Sequence, residues 1–189
     1  IRKEGYSLIP RPGDDPKYDW SGRVPYKEMP YLFNPPEGYI ATANNKIIED
    51  SFPYYISGLW ADPSRAQQII KRLDTLGLAT VDDMKSIQLD YTSLFAKEIT
   101  PHLLSIKSGS ETGKFKTAMD LLENWDFVES PESKGALVFH SVLRQLVISI
   151  FSDELELLGD KYLEAFTSMK YLHNRSLRKI LVEGTSSWI

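Results

Sequence analysis

Apolar side chains recur at helical spacing through most of the chain after position 62. From Pro63 to Leu76 they are separated by three, one, three and three positions, which places them on one face and predicts a helix that Gly77 ends. A second helix is predicted from an N-cap at Thr80 to an end or kink before Pro101. The expected buried positions of these two helices are Ala66, Ile69, Ile70, Leu73, Leu76, Met84, Ile87, Tyr91 and Leu94.

The later apolar pattern predicts more helices around one central element. The run at 136–151 is apolar nearly all round, which is typical of a helix buried in a core. Polar residues interrupt it at Ser141, Arg144 and Gln145, so it is not expected to span a membrane. The other predicted segments are a short helix at 101–107, a loop at 108–113, and helices at 114–124, 153–158, 160–171 and 174–183.

The first 62 residues have a different pattern. Closely spaced prolines and glycines exclude a long helix, and the aromatic residues between them favour an ordered loop over a linker. A short strand is predicted at 39–43, which is rich in aromatic and β-branched residues. The predicted fold class is therefore mainly α with a loop-rich start and little strand, divided into a loop-rich segment at 1–62 and a helical region at 63–189.

Composition and charge exclude some classes of partner and of functional site. The 189 residues carry a formal net charge of -4, which argues against nucleic acid as a partner. No cysteine is present, so disulfides, Cys-ligated metals and a Cys nucleophile are excluded within this sequence. The chain begins at Ile1 without a Met, and we expect it to be a piece of a larger polypeptide.

The paired asparagines Asn44 and Asn45 follow the predicted strand directly. Adjacent side-chain amides at this place can cap, turn or direct an N–H into a site, and the residues alone favour a turn. Further on, Asp62 is a suitable N-cap, Pro63 suits the first helical position, and Arg65 falls in the first turn. Taken alone, Arg65 is best interpreted as a solvated surface residue.

Several motifs occur together in one order: GYIATANNK after an Asn-Pro turn, then PYY, a Trp, DPSRA and VDDMKSIQLDYTSLFAKEI. In this order they resemble the penicillin acylase family of N-terminal-nucleophile hydrolases, over roughly the first two thirds of the chain. The resemblance is to the middle of the family's large catalytic (beta) chain. It implies that both segments belong to one larger catalytic domain, an αββα sandwich of which this chain is a fragment.

The resemblance assigns roles to two residues. Asn44, rather than Asn45, would donate its side-chain N–H to the oxyanion that forms as an amide carbonyl becomes tetrahedral. Arg65 would orient that asparagine and the substrate. The family's nucleophile is an N-terminal Ser whose α-amino group acts as the base, and Ile1 cannot supply it. The nucleophile and the second oxyanion donor are therefore expected outside this chain.

Other candidate groups are weaker. His102, His140 and His173 fit no metal or nucleophile motif, and Ser186 and Ser187 have the setting of loop residues. The family's calcium-ligand position corresponds to Tyr54, which is a poor calcium ligand. No metal and no cofactor are predicted within this chain, while calcium elsewhere in the complete enzyme is compatible with the resemblance.

The resemblance implies that the parent protein hydrolyses a linear amide bond, such as the acyl side chain of a β-lactam or another N-acyl compound. This chain alone is expected to be inactive. The expected partners are the alpha chain and the rest of the beta chain of its own precursor, and a small-molecule amide, with no nucleic acid and no membrane. The expected location is the periplasm or the exterior of the cell. The alternative is a non-enzymatic helical scaffold or interaction domain, which the plain helix-packing pattern also fits.

Overall fold

The computed structural model describes residues 1, 3–5, 9–106 and 112–185. The chain divides into two compact units, Ile1–Ala66 and Gln67–Ile189. The prediction of a mainly helical chain with a loop-rich start is confirmed. The α-helices of the described residues are α1 Ser64–Leu73, α2 Val81–Gln88, α3 Leu94–Leu104, α4 Gly113–Glu123, α5 Lys134–Leu158, α6 Asp160–Ser168 and α7 Lys170–Arg178, and a π-helical turn at Lys179–Glu183 follows.

The first unit consists mainly of irregular backbone. Its described regular elements before α1 are two 3-10 turns, Pro16–Tyr18 and Tyr26–Glu28. The predicted strand at 39–43 is wrong, because the structure gives these residues no strand. A strand needs a neighbouring strand for its backbone N–H and C=O groups, and no described segment pairs with 39–43. Side-chain composition could not predict that missing neighbour.

Helix α1 begins one residue later than the sequence predicts. Pro63 precedes the helix, and the Asp62 carboxylate accepts the backbone N–H of Ser64 at 2.9 Å. Arg65 is therefore the second helical residue. At the other end, α1 stops at Leu73 and not at residue 76, because the following turn tightens as the N–H of Leu76 bonds to the carbonyl of Leu73.

The long helix predicted from Thr80 is two helices, and Asp90 explains the break. Its carboxylate accepts the backbone N–H of Thr92 at 2.9 Å, a side-chain bond that replaces helical bonding. It also accepts Gln68 Nε2 and Arg72 Nη1, each at 2.8 Å. Burial raises the pKa of Asp90, but the hydrogen bonds from Thr92, Gln68 and Arg72 outweigh it, and the net pKa is well below the usual value.

Helix α3 starts afresh after this break and runs through the proline that the sequence predicted would end or kink it. Ser93 caps it by accepting the N–H of Ala96 at 3.3 Å, while its own N–H bonds to the carbonyl of Phe127. Pro101 lies inside α3 and removes one helical N–H. Burial of α3 side chains around Ile99 and Leu103 offsets that loss.

Helix α5 is the centre of the second unit. It buries Phe139, Leu143, Val147 and Phe151 along one stripe and absorbs the separately predicted 153–158 piece. By length and composition it is apolar enough to cross a membrane. A single such helix is weak evidence, since core helices share this composition. The expectation that the chain meets no membrane stays a prediction.

Some sequence predictions differ in burial or fall outside the described residues. Helix α2 buries none of its residues, and Tyr91 is exposed, so the predicted buried side of the second helix is wrong around α2. The predicted loop at 108–113 falls largely on 107–111, which lie outside the described residues. Gly159 ends α5 and Gly184 ends the π-helical turn, each at a positive φ that glycine adopts readily.

Gly135, in the first turn of α5, has no space for a side chain. A Cβ atom built there would lie 2.4 Å from Cγ and 2.6 Å from Cβ of Trp125. The Trp125 ring is itself fixed, because its Nε1 donates to the carbonyl of Val128 at 3.1 Å and the residue is buried. The close approach of α5 to this ring therefore requires a glycine.

We expect Gly135→Ala to destabilise the second unit by about 1–3 kcal/mol, because one methyl group must displace a buried indole. The measurement is the thermal midpoint of the complete natural polypeptide carrying each substitution. Gly77→Ala is the matched control, since nothing lies within 4 Å of a Cβ at Gly77. Equal thermal midpoints for the two variants would show that the Trp125 ring moves aside without a loss of stability.

Candidate functional site

The candidate site is a turn of the first unit that holds Asn44 in a left-handed conformation. Asn44 has φ +61°, a region that asparagine tolerates better than most residues. The turn is fixed on both sides, since Ala43 is buried and the carbonyl of Asn44 accepts the N–H of Ala61 at 2.8 Å. The Asn44 side chain itself is exposed. A well-held backbone thus presents an accessible amide.

Arg65 determines which way that amide points. Its Nη2 donates to Oδ1 of Asn44 at 2.5 Å and to the carbonyl oxygen of Ala43 at 2.7 Å. A guanidinium has only donors, so the amide atom facing it must be oxygen. The Nδ2 group of Asn44 then faces away from Arg65, and no described residue accepts a hydrogen bond from it. The contact leaves an oriented N–H donor open to a ligand.

Asn45 differs from Asn44 in this respect. Its Oδ1 accepts the N–H of Ala43 at 3.0 Å, and its Nδ2 donates to the carbonyl of Lys46 at 3.1 Å. Both ends of the Asn45 amide are therefore engaged by the backbone of the turn. This geometry favours Asn44 over Asn45 as the donor to a ligand, which is the order that the resemblance implied.

Polar side chains that follow Asn45 along the chain have hydrogen-bond partners within the first unit. Lys46 forms an ion pair with Asp50, and this hydrogen bond lowers the pKa of the Asp50 carboxyl. The Tyr54 hydroxyl donates to the carboxylate of Glu28, which raises the pKa of Tyr54. A phenol engaged as a donor does not fit the calcium-ligand position of the resemblance. Within the described ranges, no three His, Cys, Asp or Glu side chains form a group that could hold a metal ion.

The other side chains weighed from the sequence include a histidine of the second unit and two serines near the end of the chain. His140 is half exposed and lies 3.3 Å from Glu129, both in the second unit. Ser186 and Ser187 lie outside the described residues. Asn44 is supported by the carbonyl of Ala43, the N–H of Ala61 and the side chain of Asn45. Of these groups, the sequence indicated only Asn45.

The second unit also has a concave surface. It lies beside α4 and the start of α5, and its lining residues are Thr117, Asp120, Leu121, Asn124, Trp125, Asp126, Glu132, Lys134 and Gly135. This lining contains no His or Cys and no pair of a nucleophile with a base. The turn around Asn44 remains the better candidate.

Comparison with known proteins agrees with these motifs. The family model described as penicillin amidase matches residues 1–189 of the chain. The chain is 30% identical over 166 residues to an acyl-homoserine lactone acylase, QuiP, of Pseudomonas fluorescens Pf-5, covering 82% of this chain and 20% of that protein. The chain spans about a fifth of the length of the curated relatives that it matches over 166–169 residues.

Two further relatives are penicillin acylases by name. The chain is 36% identical over 92 residues to the penicillin acylase 2 proenzyme of Pseudomonas sp. SE83, covering 49% of this chain and 12% of that protein. It is 28% identical over 140 residues to penicillin G acylase of Escherichia coli, covering 71% of this chain and 16% of that protein.

Proposed function

Since this chain belongs to the penicillin amidase family, we propose that it forms the oxyanion-binding part of an enzyme that hydrolyses a linear amide bond. The observation that carries the proposal is the contact of Arg65 with Oδ1 of Asn44, which leaves the Nδ2 donor of an exposed amide without an acceptor among the described residues. An asparagine donor suits this task, because it offers an N–H without an ionisable proton.

The proposed reaction has two stages and uses a serine located outside this chain. The serine Oγ attacks the amide carbonyl while its own α-amino group, with a pKa of about 8, accepts the proton. Asn44 Nδ2 donates to the carbonyl oxygen as it becomes negative. The C–N bond then breaks, and the amine leaves with a proton. Water hydrolyses the acyl-serine ester through a second oxyanion that the same donor stabilises.

The names of the relatives suggest which substrates to test. Their names include acyl-homoserine lactone acylase and penicillin acylase, so N-acyl-homoserine lactones and penicillins are the first two classes. We place the remaining segments of the catalytic domain in the same precursor, since one relative is named a proenzyme. We also propose that the enzyme acts in the periplasm or outside the cell.

The proposal is tested on the complete natural polypeptide. Intact masses and N-terminal sequences should show two chains, and the one containing Asn44 should begin with a Ser that precedes Ile1 in the precursor. The purified protein should release the free amine from at least one of the two substrate classes. A single unprocessed chain without turnover would reject the proposal and favour the helical scaffold.

Arg65 gives a second prediction. Arg65→Ala should lower kcat by about 10- to 100-fold, because a hydrogen bond to a charged group contributes about 1.5–3 kcal/mol and its loss lets the Asn44 amide rotate. Arg65→Lys should fall between, because lysine keeps the charge but its shorter side chain does not place an ammonium where Nη2 of Arg65 contacts both Asn44 and Ala43. The measurement is steady-state hydrolysis of the substrate that the wild-type enzyme cleaves.

Arg72→Lys is the matched control, because it makes the same exchange in the same helix. Arg72 donates to Asp90 and Ser86. It should retain wild-type kcat with a lowered thermal midpoint. If Arg65→Ala kept full activity, Arg65 would not be needed to orient Asn44, and the family membership would be unaffected.

A further inference from the structure

The left-handed conformation of Asn44 has to be imposed by its surroundings. An L-residue with φ near +60° is disfavoured relative to the right-handed regions, even when it is an asparagine. The position of its Nδ2 group depends on this backbone as well as on Arg65. Any group that closes the turn across Asn44 therefore affects where the proposed oxyanion donor lies.

The side chain of Asn45 closes the turn in this way. Its Oδ1 reaches back to the N–H of Ala43, which precedes Asn44, and its Nδ2 reaches forward to the carbonyl of Lys46. The two bonds, at 3.0 Å and 3.1 Å, tie the residues on both sides of Asn44 to one planar amide. Ala43 is only 7% exposed, so solvent is a poor substitute partner for its N–H.

We propose that Asn45 is a positioning residue for amide hydrolysis, which acts by holding the Ala43–Lys46 turn so that Asn44 presents its Nδ2 donor. This inference rests on the proposed function and deepens it, since it gives the second asparagine of the pair a separate task. Asn45 needs both an acceptor and a donor on one side chain, which explains why an amide serves here.

The test is a double-mutant cycle in the complete processed enzyme. We would measure kcat and KM for Asn45→Ala, Asn44→Ala and the double variant, with the para-nitroanilide of phenylacetic acid, penicillin G and N-acyl-homoserine lactones as probes. Asn45→Ala should lower kcat about 5- to 30-fold with little change in KM, the range expected for losing one or two hydrogen bonds. In the Asn44→Ala background, Asn45→Ala should cause no further loss.

A second measurement does not depend on turnover. Hydrogen exchange at the Ala43 amide should accelerate in Asn45→Ala, because its acceptor is gone. Asn124→Ala is the matched control, since it also removes an asparagine bond to a backbone carbonyl, that of Asp120 at 2.8 Å. The control should leave both kcat and exchange at Ala43 unchanged.

The outcomes separate the two proposals. Loss of turnover in Asn44→Ala with wild-type kcat in Asn45→Ala would overturn this inference alone. An equal loss from Asn45→Ala in both backgrounds would also overturn it, because the residue would then act on something other than Asn44. Absence of amide hydrolysis in the wild-type enzyme with every probe would reject the proposed function, and this inference with it.

Discussion

Replacing Asn44 with alanine is expected to lower kcat for amide hydrolysis by about 10²–10³-fold, since loss of one preorganised oxyanion donor costs about 3–4 kcal/mol of barrier. None of the described residues accepts a hydrogen bond from Nδ2 of Asn44, whereas Oδ1 accepts one from Arg65. Because the donor acts on charge that develops in the transition state, KM should change little. The measurement is steady-state hydrolysis by the processed complete enzyme, with processing verified by intact mass.

Alanine at this position also strains the backbone, so the prediction needs a second variant. An alanine at φ +61° costs about 1–2 kcal/mol, whereas glycine adopts this conformation freely. Asn44→Gly removes the donor without the strain. We expect it to lose as much kcat as Asn44→Ala while keeping a higher thermal midpoint. Recovery of turnover in Asn44→Gly would show that the turn, and not the donor, limits the reaction.

Part of this site could be predicted from the sequence, and the rest could not. The paired asparagines and the Asp62-Pro63 helix start were visible, because both are local patterns with a known tendency to turn or cap. The contact between Asn44 and Arg65 was expected only from the family resemblance, because no local pattern joins positions 21 residues apart. Which asparagine is engaged by its own turn depends on side-chain orientation, which one sequence without coordinates does not contain.

The helices show the same division. The run around Phe139 identifies a central helix, because it is apolar on nearly every side. The break between α2 and α3 escaped prediction, because it depends on the contacts of Asp90 with Gln68 and Arg72 from another helix. Pro101 misled the prediction, since a proline weakens a helix and tertiary burial can outweigh that weakness.

Phe139→Ala should give the largest loss of stability, about 3–5 kcal/mol for the helices that pack on it. Phe139 is fully buried in the core of the second unit. Its ring centroid lies 5.5 Å from that of Trp125 and 6.4 Å from that of Phe95. Because these two rings belong to the segments after α4 and at the start of α3, the cavity would loosen both contacts with α5.

Hydrogen exchange in the complete polypeptide measures this loss where it occurs. Opening free energies of peptides from α3, α4 and α5 should fall together in Phe139→Ala, because their side chains share one core cluster. Leu137→Ala is the control from the same helix, since Leu137 is 69% exposed and its truncation should change those values by less than about 0.5 kcal/mol. Loss of protection in α5 alone would mean that α3 and α4 are held by contacts other than the Phe139 ring. Unequal loss would thus identify which helix depends on that ring.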